Sequence, residues 1–545
     1  MPAAVSRAIV VVALLCAAAA PVAAVPQEQS SDRPTDGSHR SADPENATSV
    51  DPRIVELYPN PPTENDRGEY VRLSLPDGNW TISDGESTVT VRGRPGQVVL
   101  TDAPDALPNG TVGHVLPASL SLANSGERLS LHPGTAPNRT VDSAEYGTAP
   151  EGERWLRGAD PVWRPLGYDP RSATPVGSAT ATAFVLPDAP EVPAETIRRA
   201  EHRILLAGYT FGSERVADAL VAAAQRGVRV RVLVDDAPVG GISVRQATLL
   251  DRLVAADVDV QVLGGPAARF RYHHPKYAVV DDGALVMTEN WKPSGTGGAD
   301  SRGWGVRIDS SAAADELASV FRNDAGWRDA RSWSEYRRGR KFTDAESEPN
   351  SYPERFAPGT VEVRNVTVLT APGNAESGVV RVIDRATDRV DVIQPTVEDG
   401  PMLAATRRAA GRGVEVRLLL SNAWYVQEEN AALASNLNDW AERTGVPFEA
   451  RLAEPAGRYG KIHAKGVVAD DVAVVGSLNW NPTSTRENRE VAVALRGDTV
   501  AEYYRRVFAA DWRAGSGTVP RSFLLAAVGI VAGAILYAHR KLEFA

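Results

Sequence analysis

Residues 272–281 read YHHPKYAVVD, and 189 positions later residues 461–470 read KIHAKGVVAD. His274, Lys276 and Asp281 stand at the same spacing as His463, Lys465 and Asp470. The next segments agree too: ALVMTENW (284–291) is answered by AVVGSLNW (473–480), which aligns Thr288 with Ser477 and Asn290 with Asn479. Upstream, ALVAAAQRGVRVRVLVDD (219–236) aligns with ATRRAAGRGVEVRLLLSN (405–422) at an offset of 186. Each reads as an amphipathic helix, a glycine stop and an apolar strand. Two tandem copies of one α/β unit are therefore expected, at 176–340 and 359–515, joined by a charged, proline-containing linker at 341–358.

The 545 residues are too many for one core, and the segment before the repeats has a different rhythm. EYVRLSLPDG (69–78) places Val71, Leu73 and Leu75 on one face ahead of a turn, and SGERLSLHPG (125–134) does the same with Leu129 and Leu131. No helical period occurs, so residues 51–175 predict an all-β sandwich. IVELYPNPP (54–62), GEYVRLSL (68–75), WTISDG (80–85), LANSGERLSLHPG (122–134) and VDSAEYG (141–147) resemble lamin-tail domains, which implies an immunoglobulin-like sandwich.

Both ends are apolar. Residues 1–24 read as a secretory signal, with Arg7 ahead of a hydrophobic run that contains Cys16, the chain's single cysteine. Removing it leaves no thiol, which excludes a disulfide scaffold and cysteine chemistry. Residues 25–50 are polar and aperiodic, a disordered spacer. Residues 522–539 predict a transmembrane helix, and His539, Arg540 and Lys541 put its tail inside. The expectation is a single-pass membrane protein with an extracellular body. Sequons at Asn46, Asn79, Asn109, Asn138 and Asn365 agree with that side.

The net charge of −10 offers no general attraction to nucleic acid, and the basic residues are 53 arginines against 6 lysines. Two of those six lysines, Lys276 and Lys465, stand at the matched position of the repeated decapeptides. Alternate strand residues face one way, so His274 and Lys276 are expected in one cleft, as are His463 and Lys465. Symmetric packing of the copies would bring two imidazoles and two ammoniums together. Lys276, Lys465, Asn290, Asn479, Thr288 and Ser477 supply donors for a phosphoryl group. One histidine can attack phosphorus while the other protonates the leaving oxygen. No carboxylate cluster for a divalent metal accompanies them, two histidines do not make a zinc site, and no cofactor is implied.

Two His-x-Lys-x4-Asp motifs, each followed by a Gly-Ser-x-Asn-like segment, resemble the phospholipase D superfamily. The resemblance implies metal-independent transfer through a phosphohistidine, with His274 and His463 as nucleophile and general acid/base. It implies phosphate binding by Lys276, Lys465, Asn290 and Asn479, a structural role for Asp281 and Asp470, and a histidine-orienting role for Glu490. The first copy departs from the pattern: Met287-Thr288 replaces Gly-Ser, and Gly303 falls at the glutamate position. With no carboxylate there to fix its tautomer, His274 is expected to be the acid and His463 the nucleophile. His273 reads as a bystander.

The terminal anchor favours hydrolysis of phospholipids, with the bilayer as both support and substrate. No obligate protein partner is implied. An anchored extracellular nuclease is the alternative, supported by WRDARSWSEYRRGRK (327–341), whose arginines and aromatics could grip single strands. A catalytically inactive surface-binding scaffold is the third reading.

Overall fold

The protein is described from a computed structural model. It describes residues 51–514 apart from 93–95, 108–110, 112, 135–137, 159–160, 169, 266 and 345–350. The expected signal, spacer and C-terminal apolar segment lie outside these residues. Among the described residues no helix is long and apolar enough to cross a membrane.

The N-terminal region is β-rich. A six-stranded and a four-stranded sheet share one core built from the alternating faces of their strands. Val71, Leu73 and Leu75 are buried on the strand Tyr70–Leu75, as are Leu129 and Leu131 on Glu127–Pro133.

The two repeats each form a large mixed sheet. In the first, the parallel strands Arg203–Gly208, Arg229–Asp235 and Asp259–Leu263 continue into the antiparallel strands Tyr277–Val280, Gly283–Met287, Ser301–Asp309 and Ala179–Leu186. The second repeats this order from Phe448–Leu452 to Asn365–Ala371. A central core joins side chains of both sheets with those of helices Ser311–Ala325 and Asp498–Ala514. Two outer cores seal the remaining faces under the other helices.

The expected boundaries at 175 and 359 shift, because the copies exchange their leading strands. Thr174–Pro175 pairs with Asn365–Ala371 in the second sheet, and Gly359–Val363 pairs with Ala179–Leu186 in the first. Each segment sits just ahead of its own repeat and covers an edge of the other. The expected linker is tied down in part: Thr343 exchanges backbone bonds with Ile242 and Val244, and Arg355 and Phe356 donate to Asp188. In the segment 327–341, two of the aromatics expected to be available to grip single strands are withdrawn from the surface. Ala330–Ser332 extends the first sheet, and Trp333 and Tyr336 are buried beneath it.

Two arginines, related at an offset of 187, lock the copies together. Arg302 of the first copy pairs with Asp511 of the second at 2.9 Å, and Arg489 of the second pairs with Asp324 of the first at 2.9 Å. All four are fully or almost fully buried. Arg489 also lies over the ring of Phe270, 4.2 Å from its centroid. Their backbones do as much as their side chains. His274 N–H donates to Arg489 C=O, Arg489 N–H donates to Tyr272 C=O, and Arg302 C=O accepts from His463 and Ala464.

Breaking one partner of such a pair strands the other charge. Arg489→Ala should cost about 3–5 kcal/mol of unfolding free energy, read as a lower urea midpoint. Arg489→Met with Asp324→Leu should recover most of that. A midpoint unmoved by Arg489→Ala would show that the pair does not hold the copies together.

Candidate active site

Asp281 and Asp470 open two-residue turns and take the left-handed backbone conformation (φ 50° and 46°), which aspartate tolerates. Asp281 accepts the backbone N–H groups of Glu201, His202 and Arg203 at 2.8–2.9 Å. Asp470 accepts those of Thr387, Asp388 and Arg389 at 2.8–3.1 Å. Burial pushes each carboxyl up, and these donors more than reverse it. The aspartates thus pin one end of each hairpin strand, and the histidine and lysine lie at the other.

There the copies interlock. His274 Nδ1 lies 2.9 Å from both oxygens of Glu490, which belongs to the second copy. His463 Nδ1 lies 3.1 Å from Glu289 Oε2, which belongs to the first. The expectation that His274 lacks a carboxylate is therefore corrected, and the reason for preferring His463 as nucleophile goes with it. Each histidine is served by the opposite copy. Gly303 is glycine because Glu289, two residues past the end of the neighbouring strand Gly283–Met287, occupies the space: a Cβ at 303 would collide with Glu289 Cγ. In the second copy the equivalent of Glu289 is the buried Leu478, and the carboxylate comes from position 490 instead.

Glu490 is itself held. Its Oε1 accepts from Ser484 Oγ at 2.7 Å and Asn488 Nδ2 at 3.2 Å. Burial raises its carboxyl, but His274 and Lys276 outweigh that and bring it below the ordinary glutamate value. Glu289 is pushed up by burial to about 7, against the pull of Lys465, Lys461, Lys292 and Lys276. Four of the chain's six lysines thus surround one carboxyl. Sequence reasoning singled out two of them; the scarcity of lysine was the signal for the others.

Lys276 and Lys465 each donate Nζ–H to the carbonyl of their own histidine, Lys465 at 2.7 Å. Burial, aided by the opposing lysine, holds Lys276 well below the usual lysine value. Lys465 is lowered by burial to about 8, helped by Lys461. Burial lowers His274 to about 4, against Glu490. His463 falls well below its ordinary value through burial, then through Lys465, Lys276 and His274. Both rings are neutral at pH 7, and among the described residues neither Nε2 has a protein partner. Tyr209, unforeseen in the sequence, sets its ring edge-on to His274 (4.7 Å between centroids) and 5.3 Å from Lys276 Nζ.

The remaining expected residues divide. Asn290 is buried, its Oδ1 without a partner among the described residues, and Asn479 is half-buried with its backbone N–H on Ser484 Oγ. Thr288 and Ser477 do not face a ligand. Both are fully buried, and they bond the adjacent strand at Trp304 and Val491 (3.0 Å each), which corrects their reading as phosphate ligands. His273 is also fully buried. Its backbone N–H donates to Asp235, and its Nε2 lies 3.7 Å from Asp324. Among the described residues no group of three or more His, Cys, Asp or Glu converges as metal ligands.

A family profile described as "Cardiolipin synthase, PLD-like domain" matches residues 194–325 and 379–512, one match per repeat and each enclosing one histidine–lysine motif. The chain belongs to the phospholipase D superfamily. Among curated relatives of this superfamily, the proteins named cardiolipin synthase B of Salmonella typhi and of Salmonella typhimurium are each 27% identical over 331 residues. The alignment takes in 57% of this chain and 75% of theirs. Among solved structures, the phosphatidylserine synthase of Haemophilus influenzae Rd KW20 aligns at a TM-score of 0.45 and 14% identity, over 65% of this chain and 94% of that one.

The exchanged carboxylates generate a test specific to this superfamily member. Gly303→Ala should unfold or inactivate the protein through the clash with Glu289. Gly303→Glu combined with Glu289→Leu copies the second repeat and should restore at least a tenth of wild-type turnover (an order-of-magnitude expectation), while each single change falls below a hundredth. A double variant no better than the singles would show that the two positions are not interchangeable sources of one carboxylate.

Proposed function

We propose that the protein cleaves phospholipid phosphodiesters by covalent catalysis, with His274 as nucleophile and His463 as general acid. The observation that carries this reading is the crossed carboxylate support. Each Nδ1–H is committed to the opposite copy, which presents each Nε2 as the reactive nitrogen.

A phosphodiester anion beside Lys276 and Lys465 finds two ammoniums to neutralise it and the Asn290 and Asn479 amides nearby. His274 Nε2 forms a bond to phosphorus as the P–O bond to the leaving alcohol breaks, and His463 gives that oxygen its proton. Water then attacks the phosphohistidine, His463 takes the proton back, and His274 is released. The anion's charge offsets the lysines, so His463 can hold a proton in the complex that it lacks in the empty site. His274 suits the nucleophile's role because the ionised Glu490 meets it with both oxygens and stabilises the positive ring that N–P bond formation creates. Glu289, raised to about 7, gives His463 a weaker counter-charge.

Phospholipid is the substrate class we favour. The curated relatives bear the names of lipid synthases, and the apolar segment read at 522–539 would hold the site at an outer bilayer surface. Water is assigned as acceptor because the His463 side chain remains 23% exposed. Glycerol added to the assay separates hydrolysis from transfer.

The role assignment is tested with bis(p-nitrophenyl) phosphate, whose leaving group needs no acid. His463→Ala should release about one equivalent of p-nitrophenol in a burst and then stall at the phosphoenzyme, whereas His274→Ala should release none. The opposite pattern reverses the roles, and a burst from neither excludes a histidine-bound intermediate.

The pH profile is set by Lys465. Its depressed pKa means that charge is lost as pH rises through about 8, so kcat/KM should fall above that pH, with the value belonging to the coupled lysine pair. Lys465→Arg keeps the charge and should shift this fall upward by at least about one unit. A fall left at the same pH would clear Lys465 of responsibility.

A further inference from the structure

Among the described residues five large apolar side chains are exposed: Val162, Val239, Val244, Trp424 and Tyr425. Four of the five stand in or beside two loops. Residues 236–243 follow the strand Arg229–Asp235, and residues 421–426 follow the strand Glu415–Leu420. These are equivalent loops of the two repeats: at the offset of 186, Val239 falls on Tyr425. Trp424 is 88% exposed and Val239 77%, values that a folded chain has no internal reason to present.

Each loop contacts a residue that neighbours one of the two histidines in space or in sequence. Val239 N–H donates to the hydroxyl of Tyr209 at 2.5 Å, and the Tyr209 ring packs on His274. On the other side Lys461 Nζ, two residues before His463, lies 5.7 Å from the Tyr425 ring centroid and 3.4 Å from Asp300. The apolar tips thus flank one mouth, one from each copy.

The first loop also carries cations. Thr343 bonds to Ile242 and Val244, which ties the segment of the exposed Arg338, Arg340 and Lys341 to this loop, and Arg340 lies over Tyr336, whose hydroxyl donates to the Asp236 carbonyl. On the second bank Lys461 stands beside Tyr425, and Glu428 and Glu429 follow the aromatics, so the denser positive charge lies on the first.

We infer that these two loops form an interfacial docking rim that seats the mouth of the active site on an anionic phospholipid bilayer. The inference rests on the lipid reading above and adds how the substrate is reached. Val239, Val244, Trp424 and Tyr425 enter the headgroup–acyl boundary, the level at which tryptophan and tyrosine settle, while Arg338, Arg340 and Lys341 meet lipid phosphates. A diester at the surface then lies directly before the two histidines. A single-stranded nucleic acid could also use an exposed tryptophan beside arginines. Aliphatic valine at the position equivalent to Tyr425 favours the bilayer, since it offers a base no ring to stack on but enters an apolar boundary as readily as an aromatic does.

The test uses the full chain with vesicles of phosphatidylcholine and phosphatidylglycerol whose acyl chains are brominated, and it reads collisional quenching of tryptophan emission. The terminal apolar segments contain no tryptophan, so they add nothing to the signal. Wild type should be quenched, and Trp424→Phe should remove most of that quenching. Val239→Ser with Tyr425→Ser should cut turnover of vesicle lipid about tenfold and leave bis(p-nitrophenyl) phosphate cleavage within about twofold. Equal quenching of wild type and Trp424→Phe overturns the docking rim. So does a loss of affinity for a single-stranded oligonucleotide with vesicle turnover unchanged. If neither lipid nor the soluble ester is turned over while Trp424 is still quenched, the rim stands and the catalytic reading fails.

Discussion

The site exists only because the two copies cross over at Arg302 and Arg489. Each arginine uses its backbone to bind the histidine segment of the opposite copy and its guanidinium to reach a buried aspartate there. The residue after each is the one whose side chain, or lack of one, completes the carboxylate arrangement: Glu490 after Arg489 and Gly303 after Arg302. The interlock and the chemistry are thus adjacent in sequence. Displacing either strand by a fraction of its roughly 3.3 Å repeat would separate a histidine from its carboxylate. A single repeat could not assemble the site, because it would hold a histidine without an orienting acid.

The division of labour between arginine and lysine follows from their chemistry. Arg269, Arg302, Arg458 and Arg489 make the buried structural pairs, where a planar, permanently charged fork can be satisfied on several edges. Lysine is concentrated where charge must respond. Four ammoniums face Glu289, and burial lowers two of them. Burial beside like charges disfavours the charged form of Lys276 and Lys465, which eases the repulsion that four fixed charges would impose. Arginine at 276 or 465 would hold that repulsion permanently.

Much of this was legible because repetition amplifies weak signals. One His-x-Lys-x4-Asp match carries limited weight in a long chain, but two at the same place in an internal repeat point to a duplicated fold and to one histidine–lysine pair from each copy. The same habit of aligning copies concealed Glu289. Position by position, Gly303 faces Glu490 and Glu289 faces Leu478, so alignment alone leaves the first copy without its acid. The carboxylate had moved to the segment just past the end of the next strand of the sheet, a displacement visible only when the strands are laid side by side. Thr288 and Ser477 misled for a related reason. A hydroxyl two residues before an asparagine amide looks like a donor to the same ligand, but these two stand just past a strand end and are taken up by the backbone N–H groups of Trp304 and Val491. Strand exchange at 174–175 and 359–363 left no sequence trace at all, since an edge strand reads alike whichever sheet it joins.

The β-rich region is not an appendage hung beside this machinery. Tyr168, at its end, is buried in the central core between the copies. Its hydroxyl donates to the Pro372 carbonyl at 2.5 Å, and its ring stands edge-on to Phe270 at 6.3 Å. Phe270 in turn lies against Arg489. Arg154 of the β-rich region holds the Tyr168 carbonyl at 2.6 Å and pairs with Glu56 in the same sheet. A continuous packed path therefore runs from Glu56 through Arg154, Tyr168 and Phe270 to Arg489, whose carbonyl receives the His274 N–H. Close-packed interiors resist displacement along such a path. The N-terminal region is accordingly part of what holds the histidine segment in register, and the catalytic repeats have it, not water, against one side of their seam.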